Sequence, residues 1–318
     1  MALHERGYGW RAAIISAVLA AFAFVAFAFW SDAARFGAAL ARVDAGLAIA
    51  LLALSAANYA LRAVRWRLFL ADAGHAVPWG AAAANYVRGF ALTTTPGKAG
   101  EAIRSLELKR AFDVPWSVSI AALLADRFSD VLALALLCGL GLAMLPYGGA
   151  LAAVAAVAVA IALWVASSDR RTAVLAHGVA RILPRRLAGP FSALAVHAGR
   201  LARGRTLALG LALSLVAWSA EAWALHLVVE AMGATIPVGT AMGIYAIALL
   251  GGALFLLPGG LGSTEALMVL LLVQAGMDPS GAGAATVVSR VTTLWFAVVL
   301  GWIALATLRT VPSNGNVR

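Results

Sequence analysis

Six apolar runs, each near or above the length that carries a helix across a bilayer, leave this chain few folds to adopt. They cover residues 12–30, 46–61, 116–145, 149–166, 206–229 and 281–308. A hydrocarbon core about 30 Å thick needs roughly 20 helical residues to cross it. With no water at that depth, every backbone amide must be satisfied inside the segment, which a helix does. With 63% of its 318 residues apolar and 12% charged, the chain has nothing over from which to build a soluble domain. It reads as a single integral membrane domain over residues 1–318, an all-α polytopic protein with about six full transmembrane helices. Run 12–30 follows Arg6 and Arg11, is longer than a typical signal-peptide core and lacks a small-x-small cleavage site. It is therefore read as a retained first helix, with Trp10 and Trp30 at the two interfaces.

Two further stretches, 79–113 and 238–276, are largely apolar but broken in the middle by Pro-Gly. Their topology follows from the arginines. Segment 167–205 holds Arg170, Arg171, Arg181, Arg185, Arg186, Arg200, Arg203 and Arg205 against one acid, Asp169, so it is assigned to the cytoplasm. Within it Leu175, Val179, Ile182, Leu187, Phe191 and Leu194 recur at roughly helical spacing, as in an interfacial helix or in an ordinary basic loop. Counting back through 149–166 and 116–145 puts 62–115 inside at both ends, in keeping with Arg62, Arg65, Arg67, Lys109 and Arg110. Counting forward puts 230–280, which has no Lys or Arg, outside at both ends. Each broken stretch then enters and leaves by one face, the two using opposite faces, and both chain termini are cytoplasmic. The formal charge of +10 is that loop bias and implies no nucleic-acid partner. The single cysteine, Cys138, excludes an intrachain disulfide and a thiolate zinc site.

The two broken stretches also match in sequence. "PGKAGE" (96–101) and "PGGLGSTE" (258–265) share Pro-Gly, a second glycine and a glutamate, and 25 residues after each glutamate stand Asp126, beside Arg127, and Arg290. The layout is a first repeat over 46–145 with a re-entrant hairpin at 79–113, and a second, inverted repeat over 206–308 with its hairpin at 238–276. Inverted-topology repeats of this kind build many secondary transporters, where non-helical backbone is tolerated because it lines a cavity. Proline removes a backbone donor and glycine permits positive φ, so the helices are expected to stop at Pro96 and Pro258. They restart around Ala99 and after Gly262, with Ser263 as an N-cap. The free N–H groups and dipole ends of such helix starts favour anions, phosphate above all.

Buried charge is the remaining signal. Asp126, Arg127 and Asp130 in "LLADRFSDVLAL" fall within a sector of roughly 100° on one helix. Glu221, Glu265 and Arg290 also stand alone among apolar residues, and His226 follows Glu221 by a turn and a half. Each would cost about 2.5–3.5 kcal/mol facing lipid at mid-membrane, so the six are expected to face inward and pair, either to serve a substrate or to lock helices together. Arg104, one turn after Glu101, and Arg290 are the best placed to touch a phosphate, because the guanidinium fork suits that anion.

"RAVRWRLFL", "PGKAGEAIR", "ADRFSD" and "LPGGLGSTEAL", in that order, resemble the lysylphosphatidylglycerol synthase transmembrane family, also called flippase-like membrane proteins. The resemblance covers nearly the whole chain. It maps one family motif onto Pro96, Gly97, Gly100, Glu101 and Arg104, a second onto Asp126, Arg127 and Asp130, and a third onto Pro258, Gly260, Gly262 and Glu265. Position 126 is Asp where Glu is usual, and no aminoacyl-transferase domain is present, so lysyl transfer is not expected. The resemblance implies a lipid translocator of the bacterial inner membrane, taking an anionic phospholipid or a polyprenyl-phosphate-linked lipid at the hairpin tips. Arg104, Arg127 and Arg290 would face the head group, with Ser263 beside it. Glu101, Asp126, Asp130 and Glu265 would balance the charge, Glu221 and His226 would take protons if transport is proton-coupled, and neither metal nor cofactor is expected. An alternative from another class is an integral membrane polyprenyl-diphosphate phosphatase, which would want a loop serine beside an arginine. A third reading, a small-ion or drug transporter, fits the fold but not the basic, phosphate-friendly site. A nonenzymatic partner role toward a lipid-modifying enzyme through the basic loop at 167–205 is a further one.

Overall fold

The computed structural model describes residues 33–94, 99–143, 148–181, 191, 194–195, 198–201, 203–254 and 258–308, with backbone alone for 99–102 and Pro258. The expected first span at 12–30, Pro96 and Gly97 at the first break, and most of 182–202 lie outside these residues. The described residues are helical, with no strand.

Twelve helices carry the fold. A short α1 (Ala33–Leu40) precedes α2 (Ala45–Asp72), whose start is fixed by Asp44, its carboxylate accepting the Leu47 N–H at 2.7 Å. At 28 residues α2 is about 42 Å long. It therefore continues well past the apolar run 46–61 and carries Arg62 and Arg65 into the protein rather than into a loop. The first hairpin is α3 (Trp79–Arg88) with a 3₁₀ turn Gly89–Leu92, then α4 (Ala99–Phe112), and α5 (Trp116–Ala143) follows. Next come α6 (Gly149–Ala166), α7 (Asp169–Ala180) and α8 (Gly204–Ala231), again 28 residues. The second hairpin is α9 (Val238–Leu254), a 3₁₀ turn Pro258–Gly260 and α10 (Ser263–Gln274). Last, α11 (Pro279–Arg290) runs through a π-helical turn Val291–Trp295 into α12 (Phe296–Thr307).

Among the described residues, four helices are long and apolar enough to cross a membrane: 45–72, 149–166, 204–231 and 279–307. Helix α5 has the length as well, 28 residues, but bears Asp126, Arg127 and Asp130 at its middle. The hairpin arms have 10, 14, 17 and 12 residues and fall short of the roughly 20 that a crossing needs. Both first arms end ahead of their prolines, α3 at Arg88 and α9 at Leu254.

Packing gathers these elements into two apolar cores. One centres on α2 to α5 and contains Trp66, Phe69, Tyr86, Phe90 and Leu108. The other centres on α8 to α11 and contains Leu225, Val228, Tyr245, Met268 and Leu272. Helices α2 and α8 pack along each other, α5 packs on α9, and α12 packs on α3 and its 3₁₀ turn. Small residues permit the two closest approaches. A Cβ at Gly141 of α5 would lie 2.3 Å from Gly243 Cα of α9, and one at Gly301 of α12 would lie 2.2 Å from the Ala91 backbone nitrogen. Outside, α6 exposes Leu151, Val154, Val157, Ile161 and Trp164 along one stripe, as a lipid-facing helix does.

Of the basic segment, α7 is helical and leaves Val174, Leu175 and Val179 exposed. Asp169 closes its base: the carboxylate accepts a hydrogen bond from Arg203 and lies 3.7 Å from Arg200. These partners, the Arg203 hydrogen bond foremost, hold the Asp169 carboxyl below the usual carboxylate range.

Candidate functional site

The stripe Ser55, Asn58, Arg62, Arg65 and Phe69 of α2 is buried and faces α5 and α8. On it, Arg65 is wholly enclosed and acts as the cation of the α5 carboxylates. Its Nε and Nη2 donate to Asp126 Oδ1 at 2.8 and 2.5 Å, and its Nη1 donates to Asp130 Oδ1 at 2.7 Å and to the Ser214 hydroxyl. Trp218 Nε1 also donates to Asp130 Oδ1, at 2.8 Å. Arg62 reaches Asp130 Oδ2 at 3.4 Å and lies over the Trp218 ring, 4.8 Å from its centroid. Arg127 lies 3.5 Å from each carboxylate, with a third of its side chain exposed. Arg62 and Arg65, counted above as cytoplasmic loop charges, are thus structural counter-ions. The signal that could have found them is helical spacing: Ser55, Asn58, Arg62 and Arg65 recur on one face.

Beside this network lies a different environment. Arg104 of α4 is 3% exposed, and its guanidinium rests over Tyr86 at 4.1 Å, with Trp66 at 5.7 Å and Phe90 at 5.8 Å. Gly89 makes room for it, since a Cβ there would sit 2.1 Å from Arg104 Nε. No carboxylate among the described residues comes within ion-pair distance of Arg104, and its Nε and Nη1 have no hydrogen-bond partner. The Tyr86 hydroxyl and Arg62 Nε are likewise buried without one. Sequence reasoning had selected Arg104 but missed Tyr86 and Trp66, which read as ordinary core aromatics.

In the second hairpin the backbone folds tightly, with positive φ at Gly259 (63°), Gly260 (67°) and Gly262 (83°). Arg290 spans it: Nε donates to Glu265 Oε1 at 2.7 Å and Nη2 to the Gly259 carbonyl at 2.8 Å. Glu265 Oε2 is buried without a partner. Ser263 is not the N-cap. Gly262 holds that position, and the Ser263 hydroxyl turns back to donate to the Gly252 and Gly260 carbonyls at 3.1 and 3.2 Å. The two breaks meet, because a Cβ on Gly259 would lie 3.4 Å from the methyl of Thr94, the last described residue before Pro96.

Glu221 is buried and accepts a hydrogen bond from Tyr245 Oη at 2.6 Å. His226 is turned elsewhere and lies 3.5 Å from Glu230, since five residues of helix rotate by about 140°. The structure therefore separates Glu221 from His226. Glu101 and Gly100 lie in the first turn of α4, where only the backbone is described. Among the described residues no three His, Cys, Asp or Glu side chains could hold a metal ion between them.

The arrangement offers buried guanidiniums in a multi-pass membrane protein, one of them without a carboxylate among the described residues. No protein in a curated collection matches the chain. A family model does: that of the lysylphosphatidylglycerol synthase TM region fits residues 13–301, with no other domain detected. Over nine-tenths of its length, then, this chain belongs to the lysylphosphatidylglycerol synthase transmembrane family.

Proposed function

We propose that the chain is a lipid translocator of the bacterial inner membrane, moving an anionic phospholipid or a polyprenyl-phosphate-linked lipid past the charged centre while the acyl chains stay in the bilayer. The observation that carries this is the approach of Thr94, just ahead of the first Pro-Gly, to Gly259 of the second, on which Arg290 is held. Non-helical backbone at membrane depth is stable only where protein or a cavity covers it. In this reading both hairpins are re-entrant, from opposite faces, and the chain consists of two inverted repeats with cytoplasmic termini.

The packing supports that relation. The first arm of each hairpin lies on the last span of the other half, α9 on α5 and α3 on α12. Asn58 and Ala217, each the fourteenth residue of a 28-residue helix, are joined by an Asn58 Nδ2 to Ala217 carbonyl hydrogen bond at 2.8 Å. Tyr59 and Trp218, one residue further along each, donate to Thr293 O and to Asp130 Oδ1 on the opposite last spans. Asp126 and Asp130 then act by holding Arg127 at the edge of the site, and Glu265 by holding Arg290 on Gly259. Proton coupling, if transport uses it, falls on Glu221.

The test is reconstitution into liposomes with fluorescent phosphatidylglycerol or a labelled polyprenyl phosphate, scoring the label's arrival in the opposite leaflet. Wild type should move one of them, and Arg127→Ala and Glu265→Gln should stop the movement without loss of folded protein. Full activity in both variants would remove this mechanism.

A further inference from the structure

We propose that Arg104 and the Tyr86 hydroxyl form an oxyanion site that binds a single phosphate group. The argument begins with an imbalance. In the buried first-half cluster, Arg62 and Arg65 face Asp130 and Asp126, whereas no carboxylate among the described residues reaches Arg104. Four donor atoms belong to this ring and the two guanidiniums beside it: Arg104 Nε and Nη1, Arg62 Nε and Tyr86 Oη, all buried and all without an acceptor. Guanidiniums lie 4.1 and 5.9 Å from the Tyr86 centroid, from Arg104 and Arg62 respectively.

Buried donors of this kind are nearly always satisfied in a folded protein, and a buried cation without a counter-ion is costlier still. A cluster rich in donors and poor in acceptors is completed by an anion. Phosphate oxygens accept charge-assisted hydrogen bonds from guanidinium N–H groups, and the hydroxyl adds a further donor. The ring's π face meanwhile offsets part of the cost of the unpaired cation. The aromatic wall of Trp66, Tyr86 and Phe90 gives the site a dry floor, where each charged hydrogen bond is stronger than in water.

The assignment rests on the translocator reading only for the molecule that carries the phosphate; the site itself rests on geometry. The chemistry is shared by a lipid phosphodiester and free phosphate, and the experiment separates them. The protein in phosphatidylcholine nanodiscs is melted alone, with inorganic phosphate, and with phosphatidylglycerol added to the nanodisc, for wild type, Tyr86→Phe, Arg104→Gln and Arg104→Lys.

Tyr86→Phe is the decisive variant. The hydroxyl is buried without a partner, so a purely structural role predicts an unchanged or higher melting point. Binding predicts a loss of affinity of about tenfold to a hundredfold, the worth of one hydrogen bond to a charged acceptor. Arg104→Gln should abolish the ligand-induced shift, and Arg104→Lys should retain part of it. Should the Gln variant fail to fold, Tyr86→Phe still decides.

A shift from inorganic phosphate alone, lost in the variants, upholds the oxyanion site. If wild type then moves no lipid, the translocator reading falls while the site stands. Equal shifts in wild type, Tyr86→Phe and Arg104→Gln overturn the site, and lipid movement by those variants would leave the translocator reading intact.

Discussion

Removing Arg65 should cost more than removing any other charge in the molecule. The side chain is wholly enclosed, and three of its nitrogens hold two carboxylates and a serine hydroxyl that are themselves buried. Truncating one partner of a buried ion pair typically costs about 3–5 kcal/mol, because the other partner stays behind without compensation. Arg65→Ala leaves Asp126 with only Arg127 at 3.5 Å, and Asp130 with Trp218 at 2.8 Å and weaker contacts to Arg62 and Arg127 at 3.4 and 3.5 Å. The loss belongs toward the upper part of that range, a third or more of the roughly 5–15 kcal/mol that stabilises a typical fold. Equilibrium unfolding in mixed detergent, followed by the fluorescence of the ten tryptophans, reads it directly. The double variant Arg65→Met, Asp126→Asn removes the closest pair together and leaves Asp130 to Trp218, Arg62 and Arg127, so it should recover part of the loss. The reasoning is refuted if Arg65→Ala unfolds at the wild-type midpoint, or if the double variant is less stable than the single one.

Further outcomes follow from packing and charge. Gly141→Ala and Gly301→Ala each drive a methyl into opposing backbone and should cost about 1–3 kcal/mol in the same assay, whereas Gly149→Ala, with nothing within 4 Å, should be neutral or better. Tyr245→Phe strips Glu221 of its phenol donor and should cost about 1–3 kcal/mol; Glu221→Gln, which keeps an acceptor for that phenol, should cost less. At the base of the basic loop, the lowered carboxyl range of Asp169 means that its tie to Arg203 and Arg200 is present above the ordinary carboxylate range and lost as pH falls through the lowered one. Limited proteolysis between Arg181 and Arg203 should therefore accelerate only in acid below that range.

Much of the frame was legible in the residues. Apolar length located the four spans, and the second Pro-Gly located the 3₁₀ turn at Pro258–Gly260, because proline and glycine act on the backbone whatever surrounds them. The Glu265 to Arg290 pairing was visible as a spacing. What stayed hidden was which face a charge occupies. Arg62 and Arg65 sit just beyond an apolar run, where the positive-inside rule counts every arginine as a loop residue. Only the continuation of α2 to Asp72 shows that they lie on the buried stripe with Ser55 and Asn58. The Glu221 to Tyr245 contact joins α8 to α9, and nothing local announces it. Ser263 follows a glycine at φ 83° that already turns the chain, so its hydroxyl was released from capping and tied the hairpin arms instead.

The two proposed halves share a frame but not a chemistry, and this bears on how many substrate sites the molecule has. Helix α5 starts at Trp116 and α11 at Pro279; 163 residues separate these starts, and the same step carries Asp126 to Ser289, Arg127 to Arg290 and Asp130 to Thr293. The arginine is kept, whereas both carboxylates become hydroxyls. Arg62 and Glu221 likewise stand at matching positions in α2 and α8, with opposite charge. The second half therefore needs no counterpart of Arg65, and its arginine is satisfied by Glu265 and a backbone carbonyl. Donors without acceptors gather around Tyr86, in the first half. On the translocator proposal, one head-group site follows rather than two. Ser289→Ala and Thr293→Val should then leave lipid transport near wild type: the Ser289 hydroxyl has no partner, and Tyr59 bonds the backbone of Thr293, not its side chain. Loss of transport in Ser289→Ala with the fold intact would show that the second half binds substrate as well, and the single-site argument would fail.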